Sequence, residues 1–414
     1  MQTPVDGALP VAERIPTLDI LRGFALLGIL IMNMPGFTNS FFIEADGSHL
    51  WPGAVDQFAE NLRDMLFSGK FNSMFSLLFG IGFTIQFARM EQRDPARATS
   101  LYLRRLAVLA VLGLVHATIL WTGDVLHIYA LLGLLLVFAL RRARLRTIVV
   151  LIVLCLLYPV VSGALRLLLT TPEITAMLVA KAKAFEASNN SAYGHGTFVQ
   201  AAAEHMREFA YFYDNPWSLW GMLGFWVQMA MTMLLGLLAG RQGWVQRIAE
   251  LMPQVRRLMW VALAIGLLCG VAFTLVFHFN RQPGPSPIKL FGGLCYWTSR
   301  VAMMLFYVLT IVRLAQIPVW QRWLAPFAAA GRMPLTNYLM QTALCTTLFY
   351  GWGFGLWGTV GPAAGLALAV AIFFVIQVPW SLWWLKRHAR GPLEAVWARL
   401  TYGRPAASAL AAMT

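Results

Sequence analysis

Ten separate apolar stretches are each long enough to cross a lipid bilayer, and they constrain the fold of this chain more than any other feature. A helix needs about 20 mostly apolar residues to span the hydrocarbon core of a membrane. The stretches lie at 17–39, 70–88, 104–122, 124–140, 147–169, 217–240, 258–279, 290–312, 333–350 and 363–385. The sequence therefore predicts an all-α, polytopic membrane protein with about ten transmembrane helices.

The distribution of basic residues predicts how these helices are oriented. With the N-terminus placed inside, 22 of the 32 Lys and Arg residues fall on the inner side and eight on the outer side. Cytoplasmic loops are enriched in Lys and Arg, so we expect both termini in the cytoplasm. The net charge of +14 follows the inner loops, where anionic membrane lipids are the expected partners. This charge does not predict binding to nucleic acid, because it forms no basic module outside the spans.

The longest extramembrane segment divides the chain into two sets of five spans. The predicted organisation is a cytoplasmic tail (1–16), an N-terminal transmembrane half (17–169), an extracytoplasmic helical loop (170–216), a C-terminal transmembrane half (217–385) and a second cytoplasmic tail (386–414). Halves with an odd number of spans enter the membrane in opposite directions, a plan that recurs in transporters. The halves share no convincing sequence match, so inverted repeats are a suggestion only.

The loop itself is expected to contain two helices, Glu173–Ala187 and Thr197–Tyr213. Turn-prone residues at 189–191 and 194–196 separate them. A connection of this length is often a lid or a binding element. A structural cap is an equally good interpretation.

The hairpin between the third and fourth spans carries three titratable residues, His116, Asp124 and His127. His116 lies about 10 Å below the outer turn, so a direct bond to Asp124 requires bending or a bridging water. An imidazole is a base near neutral pH and a carboxylate can orient it. These three residues are therefore the candidate catalytic group, with either histidine as the base. Spacing alone favours a helix cap at Asp124 and a structural histidine.

Charged residues inside membrane spans are functional candidates because they are costly to bury. Asp19 and Arg22 are three residues apart and can pair. They form either an anchor at the inner surface, which spacing alone favours, or a basic point for an anionic substrate. Arg300 lies deep in the eighth span and needs a partner. Asp124, a backbone carbonyl or a bound anion are the candidates, and we narrowly prefer a functional role for Arg300.

Four amide side chains complete the candidate binding residues. Asn33 and Asn72 lie in the first two spans, and Asn337 and Gln341 are one turn apart in the ninth, where they could line one cavity. Interhelical hydrogen bonding is the simpler interpretation for all four. The four cysteines fall inside spans without metal-ligand spacing, so we expect no metal site.

Several segments together resemble a known family. They are Leu-Asp-Ile-Leu-Arg-Gly at 18–23 with its continuation to 30, the segment 69–83, the hairpin 113–129, Gly-Arg-Met-Pro-Leu-Thr-Asn-Tyr-Leu-Met-Gln at 331–341, Gly-Pro-Leu-Glu at 391–394 and Leu-Thr-Tyr-Gly at 400–403. This set resembles the YeiB-like bacterial inner-membrane family, whose C-terminal half is known as domain of unknown function 418. The resemblance covers nearly the whole chain and implies a location in the bacterial inner membrane.

The opening of the first span also resembles, more distantly, a superfamily of transmembrane acyltransferases. That superfamily includes heparan-α-glucosaminide N-acetyltransferase and the OpgC-type succinyltransferases. The resemblance implies transfer of an acyl group from a cytoplasmic thioester donor to an extracytoplasmic hydroxyl or amine. Several of those relatives have a histidine in or just after the first span, where this chain has Asn33. His116 is therefore proposed as the base on chemical grounds alone.

Two classes of function remain open at this stage. As an acyltransferase, the protein would act on a small-molecule or glycan acceptor, with acyl-coenzyme A allowed as co-substrate and no tightly bound cofactor. As a transporter or flippase, it would move a small anionic or lipid-like solute, with Arg22 and Arg300 holding the anionic group. The sequence leaves the oligomeric state open and is compatible with a homodimer.

Overall fold

The computed structural model of the protein describes residues 15–403, and within this range the chain forms helices and no strand. The first eight helices are α1 (Pro16–Thr38), α2 (Ala54–Leu66), α3 (Lys70–Arg93), α4 (Pro95–Val115), α5 (Leu126–Leu135), α6 (Leu145–Leu169), α7 (Pro172–Gly194) and α8 (Phe198–Asp214). The last eight are α9 (Pro216–Arg241), α10 (Met252–Phe279), α11 (Pro287–Leu314), α12 (Pro318–Gly331), α13 (Pro334–Phe349), α14 (Pro362–Ala371), α15 (Val378–Leu385) and α16 (Pro392–Tyr402). Residues 1–14 and 404–414 of the two predicted tails lie outside the described residues.

All ten predicted spans are helical, which confirms the polytopic all-α class. Eight helical segments are long and apolar enough to cross a membrane. The other two are short, namely the apolar helix Leu126–Leu140 and the 16-residue α13. At about 1.5 Å per residue, neither reaches across about 30 Å of hydrocarbon. Most of α13 is buried, so protein surrounds it in place of lipid.

Helix α1 lies inside the bundle, in direct backbone contact with α12. The apolar window of α1 is 67% buried, whereas that of α6 is 11% buried and faces outward. A Cβ on Gly23 would lie 1.8 Å from the carbonyl oxygen of Phe327, and one on Gly331 would lie 1.9 Å from that of Asp19. The two glycines therefore let the backbones of α1 and α12 approach closely. Hydropathy did not reveal α12 as a separate helix.

The loop 170–216 folds into the two predicted helices, but α7 continues through the turn-prone residues at 189–191. Asn189 is fully buried there. Its Nδ2 donates to Ser40 Oγ at 2.8 Å and to Glu208 Oε1 at 2.5 Å. These tertiary hydrogen bonds favour a helix where the local sequence favours a turn.

A buried polar network holds α7 and α8 against the turn that joins α4 to α5. Thr122 Oγ1 and Tyr193 OH each donate to Glu208 Oε2 at 2.9 Å. Both hydroxyls also lie 2.9 Å from Nδ1 of His205. All four side chains are almost completely buried, and burial lowers the pKa of His205 and raises that of Tyr193. Segment 170–216 therefore packs as a cap on the hairpin.

Gly23→Ala should destabilise the protein by about 1–3 kcal/mol, because the added methyl group must push α12 away from α1. Thermal unfolding of the purified protein in detergent measures the effect. Gly293→Ala in α11 is the matched control, since a Cβ there meets nothing within 4 Å. That change should be neutral or slightly stabilising. Equal behaviour of the two variants would contradict the close α1–α12 contact.

The stability of the cap should fall as the pH drops below the ordinary histidine pKa of 6.5. Because burial lowers the pKa of His205, the folded protein takes up a proton on this residue at a lower pH than the unfolded chain, which does so from about pH 6.5 downward. His205→Gln should flatten the profile of thermal stability against pH between pH 7.5 and 5.5. His195→Gln, at an exposed position between α7 and α8, should leave the profile unchanged.

Candidate functional site

The predicted hairpin is a tight antiparallel pair of helices. Helix α4 continues into one π-helical turn, His116–Leu120, before the chain reverses and α5 begins at Leu126. A Cβ on Gly113 would lie 2.3 Å from the backbone nitrogen of His127, so the two helices touch at that level. Single π-helical turns inside α-helices frequently occur at functional sites. Here the turn supplies the bend that a direct contact between His116 and Asp124 requires.

The Asp124 carboxylate lies between the two histidines. Its Oδ1 is 2.9 Å from His116 Nδ1, and its Oδ2 is 2.9 Å from His127 Nδ1. The backbone N–H of His127 also donates to Oδ2 at 3.2 Å. The exposed fraction is 0% for His116, 4% for Asp124 and 5% for His127. The three residues singled out in the sequence therefore form one buried cluster, and both rival bases contact the same carboxylate.

The cluster extends at both ends to hydroxyl groups that the sequence analysis did not select. His116 Nε2 lies 2.9 Å from Thr342 Oγ1 in α13, and His127 Nε2 lies 2.7 Å from Tyr213 OH in α8. A carboxylate beside Nδ1 fixes the proton there and leaves Nε2 as the basic nitrogen. Each histidine is thus oriented as a base toward a hydroxyl, which is the arrangement needed to remove a hydroxyl proton.

A cavity of about 540 Å³ opens at the arginine-rich end of the bundle and reaches toward this cluster. Its charged lining residues are Arg22, Arg89, Arg93, Arg105, Arg332 and Arg390 on the basic side and Asp19, Asp94 and Glu394 on the acidic side. Lining residues Val125 and Tyr129 belong to the hairpin, and Tyr338 of α13 lines the cavity as well. The lining therefore carries an excess of positive charge at its arginine-rich end and aromatic rings next to the cluster.

His116 and Asp124 line neither of the two cavities described. The ring of Tyr338 separates His116 from the large cavity, with the two ring centroids 5.3 Å apart. The reason is packing, since α13 lies directly against the π-helical turn. The Tyr338 ring is thus a single aromatic layer between the histidine–aspartate cluster and the cavity.

The Asp19–Arg22 pair forms as expected and lies in the wall of the large cavity. Arg22 Nη1 donates to Asp19 Oδ1 at 2.8 Å, and both side chains line the cavity. Their position is thus compatible with an anchor and with contact to a ligand. The structure leaves both interpretations of the pair open.

Two of the quoted motifs meet at the mouth of the same cavity. The Glu394 carboxylate of α16 accepts hydrogen bonds from the backbone nitrogens of Leu335 and Thr336, at 2.7 and 3.1 Å, and from Thr336 Oγ1 at 2.5 Å. It therefore caps the N-terminus of α13, where a negative charge is favourable. Burial raises the pKa of Glu394. This contact brings the motifs at 331–341 and 391–394 together.

Asn337 and Gln341 hold helices together, as the simpler interpretation of these amides predicts, and they line neither described cavity. Asn337 Nδ2 donates to Ala330 O and Ser381 Oγ, each at 3.0 Å. Gln341 Nε2 donates to Leu26 O and Gln377 Oε1, each at 3.1 Å. These amides are already occupied by bonds between helices.

The two earlier amides, Asn33 and Asn72, do not line the described cavities either. Asn72 is buried, and its carbonyl oxygen accepts from Tyr129 OH at 3.1 Å. Asn33 is half-buried on α1. Neither residue is in the lining of a described cavity, and a binding role for them stays a prediction.

Arg300 is buried inside the protein, as expected, but it does not meet Asp124, whose oxygens contact the two histidines. Its guanidinium lies 5.2 Å from the ring centroid of Tyr296 and 5.9 Å from that of Phe225. Its Nε is buried and has no hydrogen-bond partner within residues 15–403. A backbone carbonyl is therefore not the partner of this nitrogen.

Sequence reasoning missed the network of Thr122, Tyr193, His205 and Glu208 as well as Thr342 and Tyr213. His205 and Glu208 are three residues apart on the amphipathic α8, and this spacing was the available signal. The hydroxyl residues carried no comparable signal, because Thr and Tyr are ordinary residues in membrane helices.

Comparisons with known proteins identify the family. A family described as "Protein of unknown function (DUF418)" matches residues 239–404. The chain is 30% identical to the uncharacterized protein YxaH of Bacillus subtilis, over 94% of both chains. It is 30% identical to an uncharacterized 39.9 kDa protein in the amylase 3' region of Bacillus acidopullulyticus, over 95% of this chain and 96% of that one.

The uncharacterized protein YeiB of Escherichia coli is 29% identical, over 94% of this chain and 96% of its own. No solved structure matches the chain significantly. The similarity extends over both transmembrane halves and the cap, well beyond the matched C-terminal segment. The chain therefore belongs to the YeiB-like family of membrane proteins with the domain of unknown function 418.

Proposed function

We propose that the protein is a transmembrane acyltransferase that takes an acyl group from a thioester donor, such as acyl-coenzyme A, in the arginine-rich cavity. The acceptor is a hydroxyl or amine that reaches the buried cluster from the outer side. One observation carries the proposal: a cavity with excess positive charge ends one aromatic layer away from a carboxylate-oriented histidine.

The cavity suits a donor that carries several phosphate groups. Arg332 lines the cavity, and its Nε is buried without a hydrogen-bond partner within residues 15–403. Arg105 is held over the ring of Trp397, with its Cζ 3.6 Å from the centroid. Arginine binds phosphate oxygens through several N–H groups at once. A polyphosphate donor would therefore find oriented cations at the cavity mouth and apolar walls deeper inside.

In the chemical step, the acceptor attacks the thioester carbonyl carbon and gives its proton to His116 Nε2. The carbon–sulfur bond breaks, the new ester or amide forms, and the thiolate takes the proton from the imidazolium. Thr342 Oγ1 already occupies the position from which a hydroxyl would donate to Nε2. Asp124 orients the imidazole and stabilises its charged form. Movement of the Tyr338 ring would connect the cavity to this nitrogen.

The proposal places the arginine-rich end in the cytoplasm of a bacterial inner membrane, because thioester donors are made in the cytoplasm and basic loops stay there. In a variant with the four native cysteines replaced by alanine, His195→Cys should react with a membrane-impermeant maleimide in intact cells. Arg93→Cys, also at an exposed position, should react only after the cells are opened. The reverse labelling pattern would contradict the orientation.

Purified protein should bind coenzyme A and acetyl-coenzyme A, seen as a rise in thermal stability and by titration calorimetry. Arg332→Gln should weaken binding about 10–100-fold, because a charge-assisted hydrogen bond contributes roughly 1.5–3 kcal/mol. Arg322→Gln is the matched control, since Arg322 is exposed outside the cavity lining. Absence of binding, combined with solute uptake into proteoliposomes, would instead support a transporter.

Measurements of coenzyme A affinity and of thiol release on the same purified protein distinguish donor binding from the chemical step. His116→Ala should keep its affinity for coenzyme A, because His116 lies behind the aromatic layer, and should lose about 10²–10⁴-fold in the release of free thiol from acetyl-coenzyme A. His127→Ala should have a smaller effect if His116 is the base. A larger effect of His127→Ala would assign the base to the rival histidine.

A further inference from the structure

Two cations, Lys70 and Arg300, are buried side by side at the end of the bundle opposite the arginine-rich cavity. Lys70 is 0% exposed and Arg300 is 5% exposed. Both approach one ring, since Lys70 Nζ lies 5.6 Å and Arg300 Cζ lies 5.2 Å from the centroid of Tyr296. Two positive charges thus share one small, water-poor volume.

The protein places them together by means of a glycine in the left-handed backbone region. Gly69 has φ +74°, and a Cβ there would lie 2.2 Å from Arg300 Nε. Lys70 follows directly as the first residue of α3. The positive end of the α3 dipole therefore adds to the two side-chain charges. This arrangement costs free energy unless a negative charge is present.

The acidic residues nearby are insufficient to neutralise the pair. Asp64 accepts from Arg63 Nε at 2.9 Å and lies 2.8 Å from its Nη2, and Glu60 lies 3.5 Å from the same Nη2. Lys70 Nζ reaches only the backbone oxygen of Asp64, at 2.8 Å. The three cations Arg63, Lys70 and Arg300 therefore lie near only two carboxylates. Both of these carboxylates, Asp64 and Glu60, contact Arg63.

Unpartnered donors continue from this point along α11 toward α6. Trp297 lies one turn before Arg300 on the same face of α11. Its Nε1 and Arg300 Nε are both buried and find no acceptor within the described part of the chain. The OH of Tyr158, whose ring centroid is 6.0 Å from that of Trp297, is likewise buried without a partner. The neighbouring Gly293 faces open space within 4 Å.

We infer that Arg300 and Lys70 form a binding site for a phosphate-class oxyanion in the outer half of the membrane, separate from the cavity proposed for the acyl donor. The oxyanion accepts hydrogen bonds from Arg300 Nε and Lys70 Nζ and supplies the missing negative charge. Its source is either free phosphate or the head group of an anionic phospholipid, which have this chemistry in common. The inference does not depend on acyl transfer.

The test compares thermal unfolding of delipidated, full-length protein with inorganic phosphate, phosphatidylglycerol or phosphatidylcholine, at matched ionic strength. Wild-type protein should be stabilised by phosphate or by phosphatidylglycerol and not by phosphatidylcholine. A shift with phosphate alone identifies a free oxyanion, and a larger shift with phosphatidylglycerol identifies the lipid head group. Absence of a shift with both anions would overturn the inference.

Arg300→Gln should weaken anion binding about 10–100-fold. Arg313→Gln, the same substitution near the other end of α11, should bind as the wild type does. In delipidated protein without anion, Arg300→Gln should be as stable as the wild type or more stable, because it removes a buried charge. A marked loss of stability without anion would show that Arg300 is already neutralised, which contradicts the site.

Lys70→Gln provides a second variant if Arg300→Gln does not accumulate. Lys70→Gln should also reduce the rise in thermal stability that the anion produces. Native mass spectrometry of wild-type protein purified with little washing provides an independent measurement. Retained phosphate or phosphatidylglycerol that is lost in Lys70→Gln supports the site, and equal retention in both proteins opposes it.

Discussion

The buried carboxylate of Asp124 is the interaction on which the hairpin, the cap and α13 depend together. A charged group inside the membrane costs several kcal/mol unless it is paired, and both oxygens of Asp124 contact imidazole nitrogens at 2.9 Å. Each imidazole then contacts another element through its second nitrogen, Thr342 in α13 and Tyr213 in α8. One anion therefore organises four helices, and the same contacts that satisfy it orient two bases.

Positive charge serves different purposes at the two ends of the bundle. At the arginine-rich end it lines an open cavity whose mouth is formed partly by α16, held through Glu394 to the start of α13. At the other end Arg300 and Lys70 are buried, without a carboxylate of their own in the described chain. Basic residues that follow the positive-inside rule need no ligand, because water and lipid head groups surround them. Arg300 is instead buried inside the protein, so the positive-inside rule does not account for its position.

Much of the architecture followed from the sequence because hydropathy and helical spacing are local properties. The ten apolar stretches, the two cap helices and the Asp19–Arg22 pair were all predicted from residues close together in the chain. The boundary of α7 was predicted wrongly, because tertiary contacts decide it: α7 continues through a turn-prone segment where Asn189 is bonded to Ser40 and Glu208. Asn337 and Gln341 bond to neighbouring helices, as the simpler interpretation of these amides predicted.

The sequence by itself determined the membrane class, the ten apolar segments that form helices and the residues of the hairpin cluster, because each depends on composition or on spacing within one or two helices. The tertiary structure decided which hydroxyl group each histidine faces, since Thr342 and Tyr213 come from distant helices. It also decided that Tyr338 separates the cluster from the cavity and that Arg300 meets Lys70 through Gly69. These contacts join residues tens to hundreds of positions apart, and only the packing of the helices brings them together.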